Sequence, residues 1–220
     1  MRMRNKPWAK PELEACDYFV LHPEDMKGHW KERFAQQAPL YLELGCGKGG
    51  FAAQFAAQNR NVDLIAMDIE YKMLGVARRN ISSLFQQLGI PADNILLTAC
   101  NIENISSVLG SGDVISRIYI NFCNPWPRNK HKKHRLTHPR QLMQYKEFLT
   151  PGGEIHFKTD DDQLFEESIA YFEECGFKII YVTRDLHNSG YEPNIMTEHE
   201  KMFSDEGIRI KFLIAKMPEV

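Results

Sequence analysis

No run in this 220-residue chain approaches the length and apolarity of a membrane span, and the opening Met1-Arg2-Met3-Arg4-Asn5-Lys6-Pro7-Trp8-Ala9-Lys10 lacks the apolar stretch of a secretory signal. A cytoplasmic protein with no membrane attachment is expected. Cysteine is scarce: the five present are an odd number with no Cys-x-x-Cys spacing, which argues against a disulfide framework and a structural zinc site. Two segments lack acid. Residues 1–10 carry four Lys/Arg, and residues 128–140 carry six Lys/Arg with three histidines, leaving 17 bases against 29 acids elsewhere, a balance of −12 hidden inside a net charge of −2. An acidic body with two basic segments suits local grip on a polyanion, although two solvated charge runs would give the same count. The 43% hydrophobic content suits one α/β domain with a full core. Residues 1–27 are read as a basic N-terminal arm, ordered or disordered, and 28–220 as that domain.

Apolar strand-like runs alternate with helical patterns, which predicts a mostly parallel sheet with helices on both faces. Strands are expected at Leu40 to Leu44, Val62 to Met67, Ile95 to Ala99, Ile118 to Phe122, Glu154 to Phe157, Phe177 to Val182 and Ile208 to Ala215. The clearest helix is Tyr71 to Leu88, with Leu74, Ala77, Ile81, Leu84, Phe85 and Leu88 at spacings of three and four, closed by Gly89 and Pro91. Further helices are expected at Lys48 to Asn59, Pro139 to Leu149 and Asp162 to Cys175.

The first strand breaks into Glu43-Leu44-Gly45-Cys46-Gly47-Lys48-Gly49-Gly50, a glycine-rich loop with an acid ahead of it. A pyrophosphate-binding loop spends its amides and the following helix N-terminus on phosphate, and Glu43 would repel such a ligand. A cofactor with a sulfonium, an ammonium and no phosphate gains from that carboxylate, so Gly45 and Gly47 are expected to cradle S-adenosylmethionine beside Glu43. The second strand ends in Asp68, which suits the two ribose hydroxyls, with Glu70 as the fallback. Asn101 and Ile102, after the third strand, sit where an adenine edge would be read; an ordinary loop Asn accounts for the spacing equally well. Without Glu43, the Gly-x-Gly loop and distal acid would fit a nicotinamide enzyme as readily.

The fourth strand stops at Cys123-Asn124-Pro125-Trp126-Pro127, a corner with proline on both sides of an indole. Next comes Arg128-Asn129-Lys130-His131-Lys132-Lys133-His134-Arg135, too dense in charge to pack and expected to stay mobile until phosphates order it. Asp160-Asp161-Asp162 invites a metal, but consecutive acids also suit a helix start, and His131, His134 and Cys123 lack a zinc spacing, so no metal is expected.

Glu43 to Gly49, Phe122 to Pro127, the basic segment through Leu136, Lys158-Thr159-Asp160 and Asn194-Ile195-Met196-Thr197-Glu198-His199-Glu200 together resemble the bacterial tRNA guanine-N7 methyltransferases, in order and over nearly the whole chain. The resemblance implies the Rossmann-like class I methyltransferase fold, a central sheet of seven strands with the last antiparallel. It implies methyl transfer from S-adenosylmethionine to N7 of a guanine in the tRNA variable loop, by a monomer or homodimer with no obligatory protein partner. It places cofactor contacts on Glu43, Asp68, Asn101 and Asn124, substrate contacts on Arg128, Asp160, Thr197, Glu198, His199 and Glu200, and RNA contacts on Lys130, Lys132, Lys133 and Arg135. Asn124 and Asp160 are the expected catalytic pair.

This chain has Asn124 and Asn101 where many members have Asp. Guanine N7 offers a lone pair and no proton, so its attack needs no general base; alignment and electrostatics carry the rate, and an amide still accepts and donates hydrogen bonds. Two alternatives remain: an amino-group methyltransferase acting on adenine N6 or cytosine N4, suggested by Asn-Pro and an aromatic, and a tRNA-binding module that has lost transfer.

Overall fold

The computed structural model describes residues 6–36 and 38–219. Eight strands form one sheet: β1 (Phe19–Val20), β2 (Leu40–Leu44), β3 (Asp63–Asp68), β4 (Ile95–Ala99), β5 (Ile115–Asn121), β6 (Leu149–Thr159), β7 (Lys178–Thr183) and β8 (Lys211–Lys216). Their order is β1-β4-β3-β2-β5-β6-β8-β7. All neighbours run parallel except β8, which is antiparallel to β6 and β7. The helices are α1 (Ala9–Glu14), α2 (Gly50–Gln58), α3 (Tyr71–Leu88), α4 (Pro139–Tyr145), α5 (Asp162–Glu174) and α6 (Glu198–Asp205). No helix among the described residues is long and apolar enough to cross a membrane.

The winding fixes the site. From β2 the chain moves outward through β3 to β4, then returns to place β5 on the other side of β2, so the carboxyl ends of β2 and β5 flank the topological switch point. Parallel strands covered on both faces must be apolar throughout, and Leu40, Leu42, Leu44, Leu64, Ile65, Ala66 and Met67 are fully buried. One core cluster, with Trp30, Tyr145 and Phe165, covers one face; the other joins the sheet to α2 and α3 through Phe51, Phe55, Leu74 and Ile81. Helix ends follow local chemistry: Gly89 closes α3 at φ +66°, and Asp161 accepts from the Leu164 N–H at 2.6 Å to open α5.

The sheet carries one strand beyond the seven expected. β1 is two residues long, too short for any periodicity to reveal, and pairs Phe19 with Leu97 and Val20 with Thr98. Part of the stretch read as an arm is therefore built into the fold, while Met1 to Asn5, with Arg2 and Arg4, lies outside the described residues. α1 packs on α3, where the Arg79 guanidinium lies 3.5 Å from the Trp8 ring centroid and pairs with Glu12. Gly75 permits the contact, because a Cβ there would sit 2.5 Å from the Ala9 Cβ and 2.9 Å from its Cα.

Two effects of opposite sign meet at Gly75. Helix propensity favours alanine by about 1 kcal/mol, whereas overpacking a close contact costs about 1–3 kcal/mol. Gly75→Ala is expected to lower the thermal midpoint; a raised midpoint would mean that α1 does not dock as described.

Candidate active site

β2 carries Glu43 to the switch point, and the chain then turns through Gly45, Gly47 and Gly49, all at positive φ (+77°, +54° and +70°), before α2 begins. Gly49 is also held by space, since a Cβ would meet that of Ala77 at 2.7 Å. The loop is tied to β3: the N–H groups of Gly47 and Glu70 donate to the two oxygens of Asp68, each at 2.9 Å. Burial raises the Asp68 carboxyl above its ordinary range, against the pull of these hydrogen bonds.

Glu43 is 2% exposed. Its Oε1 accepts from Asn121 Nδ2 at 3.3 Å, and its Oε2 has no partner. Asn121, at the end of β5, likewise keeps a buried, unpartnered Oδ1. Desolvation raises the Glu43 carboxyl to about 7, opposed by Asn121 and by the positive charge of Lys158 and assisted by the negative charge of Asp68. Both residues line a small cavity, about 80 Å³, with the glycine loop, Phe51 and Phe122; Thr197, Glu198 and His199 at the start of α6 cover it. Lys48 of the loop pairs with Glu198 across its mouth at 2.7 Å. A larger cavity of about 460 Å³ on the same sheet face shares Phe51 and Asn121 and runs away from the loop between Tyr41, Tyr119 and Tyr191. The smaller cavity thus combines a glycine turn with two residues that each keep an unpaired acceptor, a lining suited chemically to a cationic ligand.

Beyond Asn121 the backbone is strained. Phe122 and Trp126 have φ of +54° and +41°, a region that bulky residues rarely adopt and that clusters at functional sites. Phe122 stacks with His199 and Phe203, and Trp126 packs against His131 and His134. Asn124 is exposed at this corner, where its Oδ1 accepts from the Trp126 N–H at 3.1 Å. Asp160 ends the adjacent strand, close enough to Cys123 and His199 for charge coupling; burial raises its carboxyl. Asn124 and Asp160 are thus brought to one rim, outside the cavity lined by Glu43.

Several expected sites have other work. Asn101 accepts from the Glu103 N–H at 3.1 Å and caps a short 3₁₀ turn, with Ile102 buried behind it. The basic segment does pack, contrary to its expected mobility: Asn129–His134 is a 3₁₀ turn, with Lys132 on Glu167 and His134 beside Glu103. Arg135, expected to meet phosphate, is 1% exposed; its Nε donates to the Pro125 carbonyl at 2.7 Å and its Nη1 to Glu167. The paired Glu167 compensates its charge, and the cluster fastens the proline corner. Arg128, Lys130 and Lys133 remain exposed. Glu200, expected at the substrate, is fully buried against Lys158, and Thr197 caps α6 by accepting from the Glu200 N–H at 3.0 Å. The spacing of Thr197 and Glu200 is that of a capping box, which was the available signal for a structural role. Asp160-Asp161-Asp162 divides three ways, since Asp161 caps α5 and Asp162 pairs with Lys211; among the described residues no group of three or more His, Cys, Asp or Glu is arranged to hold a metal. No role was expected for Asn121, Lys158 or Lys48, although Lys48 lies within the glycine loop and Lys158 opens the motif Lys158-Thr159-Asp160.

A glycine turn at the switch point, a carboxylate before it and an antiparallel final strand define a Rossmann-like methyltransferase of class I. Residues 37–213 match a family model described as "Putative methyltransferase". The chain is similar to tRNA (guanine-N(7)-)-methyltransferases of Clostridium perfringens (59% identical, covering 98% of this chain and 99% of the relative) and Clostridium beijerinckii (60%, covering 98% of each). Among solved structures, the 16S rRNA methyltransferase KamB aligns with a TM-score of 0.60 at 13% identity, over 86% of this chain and 92% of that one, a likeness of fold alone. This chain belongs to the bacterial tRNA (guanine-N7)-methyltransferase family.

The burial of Glu43 has a stability signature. Its folded carboxyl binds a proton more tightly than the unfolded one, so its contribution is fully present below the ordinary value of 4.5 and is lost as pH rises through about 7. Glu43→Gln is expected to stabilise the ligand-free protein above neutral pH by up to roughly 3 kcal/mol, with little change near pH 4, while weakening cofactor binding. Denaturant titrations at the two pH values check this; equal stability of both proteins under alkaline conditions would contradict it.

Proposed function

We propose that this protein transfers a methyl group from S-adenosylmethionine to N7 of a guanine in the tRNA variable loop. The observation that carries the reading is the pair of buried, unsatisfied acceptors, Glu43 Oε2 and Asn121 Oδ1, on two residues that line a cavity over the glycine loop. An ammonium supplies the donors these atoms lack, and the ionised Glu43 offsets its charge. Asp68, half-buried with both oxygens held by backbone N–H groups, keeps lone pairs for ribose hydroxyls. When bound, S-adenosylmethionine supplies an electrophilic methyl group on a sulfonium.

The chain's own residues have the remaining tasks. Guanine N7 needs no base to become a nucleophile, so the rim has to orient the purine and exclude water. Asn124 suits the first task by presenting an acceptor and two donors, and Asp160 accepts from N–H groups on the same base. His199, stacked on Phe122 and exposed, offers the base a flat surface. Arg128, Lys130 and Lys133 form the exposed phosphate-facing set, while Arg135 serves by holding the corner through Pro125. The relatives at 50–60% identity are named for this reaction, which supports it over an amino-group methyltransferase or a binding module without transfer.

Incubation of tRNA with the protein and S-adenosylmethionine, followed by nuclease digestion and mass analysis, should yield N7-methylguanosine. Methylated exocyclic amines, or no product under single turnover, would refute the reading. In the same assay Asn124→Ala should lower turnover by about tenfold or more, and unchanged turnover would remove Asn124 from the site. Lys130→Glu with Lys133→Glu should weaken tRNA binding and flatten its salt dependence by a slope of about 2, with cofactor affinity unaltered; an unchanged slope would place the phosphates elsewhere.

A further inference from the structure

Lys158 lies in the interior of β6 at 5% exposure, a costly place for an ammonium. It is fully engaged: its Nζ donates to Glu200 Oε2 at 2.9 Å, to Asn194 Oδ1 at 3.0 Å and to the Ile195 carbonyl at 3.0 Å. Glu200 is completed by Asn194 Nδ2 at 2.6 Å and by His187, whose Nε2 lies 2.9 Å from Oε1. Burial works against the Glu200 carboxylate, but these partners outweigh it and hold the group below its ordinary range. Glu200 is the third residue of α6, whose first turn covers the glycine-loop cavity.

The same lysine faces the other way along the sheet. Glu43 is in register with Tyr119 and, through it, with His156, while Asn121 and Lys158 pair two residues further along β5 and β6; Asn121 reaches back to donate to Glu43, so Glu43, Asn121 and Lys158 lie on a diagonal across β2, β5 and β6. The positive charge of Lys158 favours the ionised form of Glu43, and the negative charge of ionised Glu43 favours the ammonium. The other charged or titratable groups near Glu43 are Asp68 at the end of β3, the buried Cys46 thiol of the loop, Tyr119 in register on β5 with His156 beyond it on β6, and Lys48, Glu198 and His199 across the cavity; α2 contributes the uncharged Phe51. Asp68 disfavours the carboxylate, so among these neighbours Lys158 is the cation that opposes burial.

We propose that Lys158 is a positioning residue for the cofactor pocket: its ammonium, bonded to Glu200 in α6 and linked to Glu43 in the sheet through Asn121, seats the helix that covers the pocket and favours the charged form of the cofactor-facing carboxylate. The inference rests on the proposed binding of S-adenosylmethionine at Glu43 and adds to it a residue that need not touch the cofactor. Affinity for the cofactor would then fall at low pH as Glu43 takes up a proton, and the midpoint of that fall would report the charge on Lys158.

Calorimetric titration of the full-length protein with S-adenosylmethionine across a range of pH tests this. Lys158→Met is expected to move the midpoint to higher pH by about one unit and to weaken affinity at neutral pH by about tenfold; Lys158→Arg should restore a midpoint near that of the wild type. Lys158→Met combined with Glu200→Gln removes both charges of the buried pair, so it should recover thermal stability lost in the single variant yet keep the shifted midpoint. A uniform loss of affinity with an unchanged midpoint, or a double variant whose midpoint returns with its stability, would show a purely structural lysine and overturn the inference alone. A wild-type protein without affinity for S-adenosylmethionine would overturn the underlying reading as well.

Discussion

A carboxylate buried near the end of a central parallel strand is the constraint around which the rest is arranged. Glu43 is desolvated on every side, and desolvation of an ion costs several kcal/mol unless other groups replace water. Asn121 answers one oxygen and the charge of Lys158 offsets part of the cost. Each answer creates a further requirement, because Lys158 is itself buried and needs Glu200, and Glu200 in turn needs Asn194 and His187. The requirement travels from β2 across β5 and β6 into α6. One oxygen of Glu43 remains unmet by protein, and the ammonium of the proposed cofactor would be its donor.

The rim next to this pocket stores strain of a different kind. Phe122 and Trp126 hold left-handed backbone conformations that cost energy, and each is over-determined by its surroundings. Phe122 is clasped by His199 and Phe203 of α6. The carbonyl of Pro125, beside Trp126, is held by Arg135, whose charge is compensated by Glu167 of α5. Neither clamp is local in sequence, so the corner keeps its shape only when α5 and α6 are docked. That dependence suits a reaction whose chemical demand is orientation, since the guanine nitrogen brings its own lone pair.

Much of this was legible in the chain. The glycine turn announced itself because only certain residues accept positive φ, and the acid before it carried a charge argument independent of geometry. Buried parallel strands and the amphipathic α3 follow from hydrophobic pattern, and β2, β4 and α3 fall where that pattern puts them. β1 was invisible because two residues have no period, and its place is set by packing of Tyr18 and Val20 against the β4 edge. Charge density misled at Arg135. Local composition says that such a segment is solvated, but Glu167 and Glu103 arrive from distant elements to neutralise part of it. Lys158 and Glu200 were illegible as a pair for the same reason: separated by 42 residues, they meet only after β6 and α6 have packed.

The basic segment therefore divides by which side chains the fold has already used. Arg135 and Lys132 spend their charge on Glu167 while His134 hydrogen-bonds to Glu103, and together they shape the corner, whereas Arg128, Lys130 and Lys133 point no charge at any acid among the described residues and stay exposed. Counterion release depends on cations that can reach phosphate, so under the proposed RNA contacts the exposed set alone would carry the salt dependence of binding, even though its sequence is indistinguishable from that of the internal one. The same partition would let an acidic body offer the proposed target corner to a polyanion: the internal side chains brace the corner, and the external cations would supply attraction a few residues away. Positioning and attraction would thus be separated along one short stretch of chain, with Glu167 of α5 and Glu103 after β4 deciding which residue does which.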